Sequence, residues 1–575
     1  MNNIYYSSEF AKKGFWFKNC QLALAGLMFL SFNQFNVNAQ APIKKEVDVV
    51  KPYEPVVSGA QKINELPKIN DSIKIKPVFQ YNVVPVMMNT DYQVLPIAAA
   101  KMNPSPAEPL LHSYMKLGLG NYSTPLAEVY INSLRSKEYA AGLFLRHQSS
   151  GGKVTLDNDK SVDAGYSATS AELFGKKFFE SSYLYGDLGV SGNSVFDYGY
   201  NTSKKLLKDT VLEKGNIRQN YLLVAFNAGL RSSHSDTTRL SYHVGFGYNM
   251  FQDRFSHVEN DFKLKADLNQ QFGNKMFGVN SSLDFLKRNN KLDTTGSANS
   301  LIAVNPWVEL SSSQYKLRLG VNVNLVKEDN SFSVRFYPSA EFMFEAVKEV
   351  LIPFVGLSGQ TQQHSYRDIA TENAFIRPDL LVKNSNTKLS LYGGFKGSLG
   401  ARASYVIKAD YSNVDNQYFF VNDTSLMLEN QFKAVYSNVD IFNAHLEVNY
   451  DYNDRLSFGM KGNLYQYSAF TQEQYAWHKP SFDLALSSKY NLHNQLFFDF
   501  DVLATGKRHV KTFTPGQTSK DLSGWLDFNV GVEYRHTKIL SAWLKLNNIT
   551  ATKSYSWNQY PNQRFNVMLG FTYSL

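Results

Sequence analysis

From residue 112 to residue 575 the chain alternates apolar and polar positions. Tyr315, Leu317, Leu319, Val321, Val323 and Leu325 fall on one side of an extended segment, and Lys316, Arg318, Gly320, Asn322 and Asn324 on the other. Successive side chains of a strand point to opposite faces, so one face is apolar and the other polar or charged. Phe442, Ala444, Leu446, Val448 and Tyr450 repeat the arrangement against Asn443, His445, Glu447 and Asn449. Ala403, Tyr405, Ile407, Ala409 and Tyr411 repeat it against Arg402, Ser404, Lys408 and Asp410, with Val406 as the exception. These runs reach about 10 to 14 residues, roughly twice the usual strand length. Aromatic residues recur near their ends, where a bilayer interface favours them. A soluble sandwich also alternates. Long strands, a charged second face and aromatic ends together predict an all-β fold, a transmembrane antiparallel barrel. Backbone groups in lipid must be paired, which requires the sheet to close.

The connections predict the barrel's polarity. Short ones fall near Arg135-Ser136-Lys137, Gly273-Asn274-Lys275, Ser311-Ser312-Ser313, Asp451-Tyr452-Asn453-Asp454 and His536-Thr537-Lys538. Long ones fall near 149–161, 200–217, 289–298, 361–387, 412–430, 507–520 and 550–563. Short periplasmic turns, long outer loops and about 22 strands are expected, with both barrel ends on the periplasmic side.

The region before the barrel has a different grammar. Lys12, Lys13 and Lys18 precede the apolar run Leu22–Phe32, and Val37-Asn38-Ala39 supplies small residues for cleavage. Residues 1–39 are therefore read as a signal peptide; the run is too short to span a bilayer. Residues 40–110 hold ten of the 18 prolines, Pro42 to Pro109. Proline removes backbone donors and breaks helices and central strands, so this stretch reads as an extended periplasmic segment. Inside it, Glu46, Val47, Asp48, Val49 and Val50 alternate briefly and form a candidate for docking a partner by strand addition. The barrel is assigned to 111–575.

Composition agrees. Aromatics make up 14% of the chain and charged residues 19%, and the mean hydropathy is -0.32. No stretch after residue 39 has about 18 uninterrupted apolar residues, so no spanning helix is expected. Cys20, the only cysteine, lies within the signal segment, so the exported chain has no disulfide and no thiolate site. The net charge of +9 falls to +7 once that segment's three lysines and one glutamate are removed. A basic balance can indicate nucleic acid, but an exported barrel does not meet it, and none is expected as a partner.

Candidate chemistry is sparse. The 11 histidines show no metal-ligand spacing, and His445 and His493 stand alone in strand-like stretches. There is no phosphate loop, and no serine is singled out as a nucleophile. Asp157-Asn158-Asp159 has the beginning of a calcium loop but lacks the rest, and a solvated turn fits it better. Gly320 and Gly570 sit within strands, where glycine relieves crowding. No catalytic residue, cofactor or metal is assigned. Lys316, Arg318, Arg335, Lys396, Arg402 and Lys408 are the lumen-facing candidates, and would favour anionic solutes if the lumen conducts. A wet wall carrying solvated charges explains them more simply.

The last strand is the sharpest signal. Phe565, Val567, Leu569, Phe571, Tyr573 and Leu575 alternate with Asn566, Met568, Gly570, Thr572 and Ser574. This looks like the C-terminal signal read by the outer-membrane assembly machinery, with Leu575 where that signal usually has Phe. Residues 538–575 resemble the end of TonB-dependent receptor barrels through Leu546-Asn547-Asn548-Ile549, Tyr555, Tyr560-Pro561, Arg564-Phe565, Gly570 and Tyr573. A second stretch is similar: Arg377-Pro378-Asp379-Leu380, Ser385, the strand from Lys388 to Leu399, a strand from Gly400 to Asp410, and a loop Asn416-Gln417-Tyr418-Phe419-Phe420. Arg377 replaces the family's Asn there, and Val382-Lys383 stand where Pro-Glu is usual.

The resemblance implies a barrel without the family's plug, since residues 40–110 are short and proline-rich. A lumen of about 22 strands is wide and is normally filled. The filling is expected from residues 40–110, the long loops, bulky inward side chains or another protein. The leading expectation is a channel or uptake barrel in the cell outer membrane, working through a gated lumen. The alternative is a structural or assembly scaffold whose N-terminal segment docks a periplasmic or lipoprotein partner. Outer-membrane lipid and the assembly machinery are the other expected partners.

Overall fold

The computed structural model describes residues 112–204, 212–289, 297–329, 331–514 and 516–575. The expected signal peptide and the segment 40–110, with Glu46 to Val50, lie outside the described residues. Among the described residues no helix is long and apolar enough to cross a membrane. The crossing is made by strands: 22 of them form one antiparallel sheet. The first, Ser113–Gly120, pairs with Thr124–Asn132 on one side and with the last, Asn566–Ser574, on the other, so the sheet closes. At the seam Leu575 donates its N–H to the Ser113 carbonyl at 2.9 Å and accepts from the Ser113 N–H at 2.9 Å.

The alternation read in the sequence becomes the wall's two faces. Leu319, Val321, Val334, Phe336, Leu569 and Phe571 are exposed on the outside, while Asn322, Asn324 and Thr572 are buried on the inside. A belt of exposed apolar side chains around a closed sheet is what lipid requires and water penalises. The molecule is therefore an outer-membrane barrel.

Inside the wall, large rings lie over glycines. The Trp543 indole covers Gly118 and Gly570: a Cβ at Gly118 would meet its Cη2 at 2.4 Å, and one at Gly570 its Cζ2 at 2.5 Å. Trp307 covers Gly278 in the same way, at 2.2 Å. Missing side chains leave troughs into which the rings fit, and packing that would otherwise be lost is recovered.

One barrel end carries short turns. Val258–Phe272 passes to Lys275–Asn289 through Gly273 and Asn274 alone, with Gly273 at φ +61. The chain's His112 and Leu575 lie at this end. The other end carries the long connections. One, 363–384, contains the helix Tyr366–Glu372. Another, 506–524, contains the paired strands Arg508–Thr514 and Gln517–Leu522.

A sector of the outer rim bends. Three neighbouring pairings shift register at one level: between Ser358 and Gln360, between Thr387 and Leu389, and between Val414 and Gln417. Asn416 sits in the last of these bulges at φ 56. Bulges kink a strand and increase its twist. Beyond them Ala403–Asn422 and Phe432–Asn453 continue as a hairpin, so most of the loop expected at 412–430 is strand and only 423–431 turns. The expected loop Asn416 to Phe420 is likewise strand. Its unbroken run Tyr418-Phe419-Phe420-Val421 is explained by burial of both faces.

Candidate functional site

The outer connections do not hang free. They converge across the barrel mouth and bury a core of their own. Tyr198, Tyr366, Ile369, Phe375, Ile376, Phe420, Phe432 and Tyr560 belong to one buried cluster with Tyr221 and Phe251 of the wall. Tyr366, Ile369, Phe432 and Tyr560 are 0% exposed. A second cluster lies on the other face of the hairpin. There Val414, Phe419, Val421 and Val439 pack against Ala476 and Trp477. Because side chains alternate along a strand, Tyr418 and Phe420 enter the first core while Phe419 and Val421 enter the second.

The connection 363–384, here called the strap, reaches furthest. It leaves the wall after Ile352–Gln362 and returns at Ser385–Ser398. Four barrel strands separate Ile352–Gln362 from Val258–Phe272, yet the strap's helix is held there. Glu259 accepts the N–H of Tyr366 at 2.7 Å and that of Arg367 at 3.1 Å. The Tyr366 hydroxyl donates to Asp253 at 3.0 Å, and Arg367 lies 3.4 Å from Asp261. Tyr221 donates its hydroxyl to the Ala374 carbonyl at 2.9 Å. The strap's own sector is tied by Lys479, which donates to Glu372 at 2.6 Å, and by the Tyr418 hydroxyl, which donates to the same carboxylate at 2.5 Å. His364 meets the Ser385 hydroxyl at 2.6 Å, and that hydroxyl donates to the Asn416 carbonyl at 3.1 Å.

Other loops cross-link the cap. The Tyr198 hydroxyl donates to the Pro561 carbonyl at 2.8 Å. Asn430 and Gln431 both donate to Asp197 at 2.9 Å, to its carbonyl and its carboxylate. Arg508 donates to the Ser556 carbonyl at 2.6 Å and the Tyr555 carbonyl at 2.5 Å. Burial perturbs the ionisable groups caught in the cap. It pushes the Asp197 carboxyl up to about 7 against the opposing Gln431 bond and Arg254 charge. It pushes His478 down to about 3 and His364 down to about 4. At neutral pH both imidazoles are uncharged, which a dry core favours.

The residues singled out in the sequence are dispersed. Lys316, Arg318, Arg335, Lys396 and Lys408 occupy strand positions opposite the exposed Tyr315, Leu319, Val334, Phe336, Phe395 and Ile407. Arg402 does not, because the strand begins at Ala403; Arg402 sits in the preceding turn and donates to the Tyr452 carbonyl at 3.1 Å. Two of the cations have carboxylate partners. Arg318 binds Glu309 at 2.5 Å and stacks on Trp307 at 3.9 Å, and Lys408 lies 3.3 Å from Asp410. Arg335 donates to the Thr361 hydroxyl at 3.2 Å. Such pairing offsets the charge of Arg318 and Lys408. Asp157 pairs with Lys553 at 2.7 Å, and Asn158 donates to Tyr200 at 3.0 Å, so this stretch fastens one outer loop to two others. Among the described residues no group of three or more His, Cys, Asp or Glu is placed to hold a metal ion. His445 meets Asn463 at 2.8 Å on the inner wall, and His493 lies in a short turn. Of the expected assembly-signal residues, Val567, Leu569, Phe571 and Tyr573 lie in the closing strand, while Phe565 precedes it and Leu575 follows it.

The cap residues were not found from sequence. Tyr366, Ile369, Phe375 and Tyr560 come from segments without period, and nothing local announces that they meet.

No family model matches the chain, and no curated protein matches it in sequence. Solved structures do match in shape. The ferric-catecholate import receptor Fiu from Escherichia coli K12 aligns with a TM-score of 0.60 at 9% identity, covering 81% of this chain and 82% of its own. The FrpB iron transporter from Neisseria meningitidis aligns at 0.62 and 10% identity, covering 80% and 81%. The ferripyoverdine receptor of the Pseudomonas aeruginosa outer membrane aligns at 0.61 and 11% identity, covering 81% and 72%. The fold is thus the closed 22-strand barrel of TonB-dependent receptors.

Proposed function

We propose that this protein is an outer-membrane uptake barrel whose lumen is shut at rest by its own outer loops and opens when the cap parts. The observation that carries this reading is the strap, which reaches inward to wall strands five and six positions away and is held there by Glu259 and Asp253. The likeness to iron transporters supports passage of a solute rather than bond chemistry. Single-channel conductance of the full chain in a planar bilayer tests the reading. It is expected to be silent, and a variant with 363–384 replaced by a short Gly/Ser link is expected to conduct steadily. Silence in both variants overturns it.

A second reading is a scaffold that passes nothing, with Glu46 to Val50 docking a periplasmic or lipoprotein partner. It draws support from the completeness of the cap core, where Tyr366, Ile369, Phe432 and Tyr560 are 0% exposed. Silence in both variants, together with a stable partner lost on deleting 40–110, would establish it.

A further inference from the structure

The cap's contacts are unequal. Around Tyr560, Tyr198 and Phe432 the rings pack closely, with Tyr198 and Tyr560 edge to face at 4.9 Å. Where the strap meets the wall of Arg218–Ser232, Ser241–Asp253 and Val258–Phe272, the contact is imperfect. A cavity of about 80 Å³ lies along it, bordered by Ser194, Val195, Tyr221, Phe251, Ala370 and Ala374. Buried polar atoms without hydrogen-bond partners lie at this contact, His257 Nε2 and Asp261 Oδ1 on the wall and Asn373 Nδ2 on the strap, as others do at Asn558 and Gln559 elsewhere in the cap. Each such atom weakens closure, because it has left water and gained nothing. The strap's helix is capped by its own flanks, while its first two N–H groups, of Tyr366 and Arg367, are held by Glu259. The Ser365 hydroxyl accepts from the Asp368 N–H at 3.0 Å, and the Asn373 N–H donates to the Ile369 carbonyl at 2.9 Å. On leaving the wall those two N–H groups pass to water while both caps remain.

We infer that the cap parts along this contact: the strap swings off the wall of Arg218–Ser232, Ser241–Asp253 and Val258–Phe272, and Glu259 with Asp253 is the latch that holds it shut. The strap stays attached on both sides of the latch: before it through the chain His364–Ser385–Asn416 at the bulged rim, and after it through Glu372, Lys479 and Tyr418. The core around Trp477, on the far face of the hairpin, is not disturbed. This inference rests on the uptake reading for its purpose, but its geometry is tested separately.

The exported chain has no cysteine, so single reporters can be placed. Ala370 borders the cavity and is buried at 4%, and Ala476 lies in the Trp477 core, buried at 7%. The experiment compares labelling of Ala370→Cys and Ala476→Cys by a membrane-impermeant maleimide added from outside, with Glu259 intact and with Glu259→Ala. Barrel folding is followed by heat-modifiable gel migration. Labelling at 370 is expected to rise about tenfold on loss of the latch while labelling at 476 stays slow, as for a local opening. An equal rise at both positions means that the cap melts as a whole and overturns the inference, as does no change at either. If Glu259→Ala does not fold, Tyr366→Phe removes only the hydroxyl bond to Asp253, and a rise of about threefold confined to 370 is expected. Conductance of the same proteins separates the two ideas. Faster labelling without conductance upholds the parting line and sinks uptake. Conductance without faster labelling sinks the parting line and leaves uptake standing.

Discussion

Phe375 and Tyr560 stack with ring centroids 3.8 Å apart and planes inclined by 27°, although one belongs to the strap and the other to the connection before the last strand. Their residues are far apart in sequence and enter from different parts of the rim, so the contact exists only if both loops cross into the mouth. Tyr560→Ala should cost the cap about 3–5 kcal/mol, as for other large buried aromatics. Limited proteolysis should then cut the outer loops, while the barrel keeps its heat-modifiable migration. Survival of the barrel alone would show that cap and wall fold as separate units.

The seam makes a sharper prediction. A Cβ at Gly118 meets chiefly the Trp543 ring, at 2.4 Å, whereas one at Gly570 meets the Leu117 carbonyl at 2.0 Å as well as that ring. Gly118→Ala and Gly570→Ala should both lower the yield of folded barrel. Adding Trp543→Ala should restore Gly118→Ala but not Gly570→Ala, because a side chain can be removed and the backbone cannot. Refolding yields of the two pairs decide it.

The cap should weaken toward acid pH. The carboxyl of Asp197 is raised from 3.8 to about 7, so the closed cap holds a proton that the open one releases. That contribution is full below the open-state value and is lost as pH rises through 7. His364 and His478 are lowered from 6.5 to about 4 and about 3, so their contribution is full above 6.5 and is lost as pH falls through that value. Below 6.5 two imidazoles outweigh one carboxylate. Protection of the cap against protease should therefore rise from about pH 4 to about 6.5 and level off above 7, where the Asp197 contribution is already gone. His478→Gln should flatten that rise, and Asp197→Asn should steepen it.

At the bulge, Asn416 holds φ 56, a conformation that costs most residues about 1–2 kcal/mol and glycine almost nothing. Asn416→Gly should leave the hairpin in place. Asn416→Val should loosen it, seen as faster amide exchange at Tyr418 to Val421 with the lower strand unchanged.

The wall was legible because its two solvents write a period into the chain. Lipid outside and a polar interior force alternation, as in Tyr315 to Leu325, and the count of about 22 strands followed from it. The closing strand was legible for the same reason. The cap was not. Tyr198, Phe375 and Tyr560 sit in stretches with no repeat, and their partners are set by which loops lean inward, which depends on bulges at Gly359, Lys388 and Asn416. One clue was present: Tyr418 to Val421 has apolar residues on both faces, which a loop in water would not carry. The strand expected from Gly400 begins three residues later, at Ala403, which leaves Arg402 in the preceding turn.

Trp543 also makes barrel closure visible in time. Its ring is covered by Gly118 of the first strand and Gly570 of the last, so its surroundings are complete only once the two ends of the chain have met. In a protein with the other tryptophans replaced, its emission would date that final meeting separately from the formation of every hairpin before it.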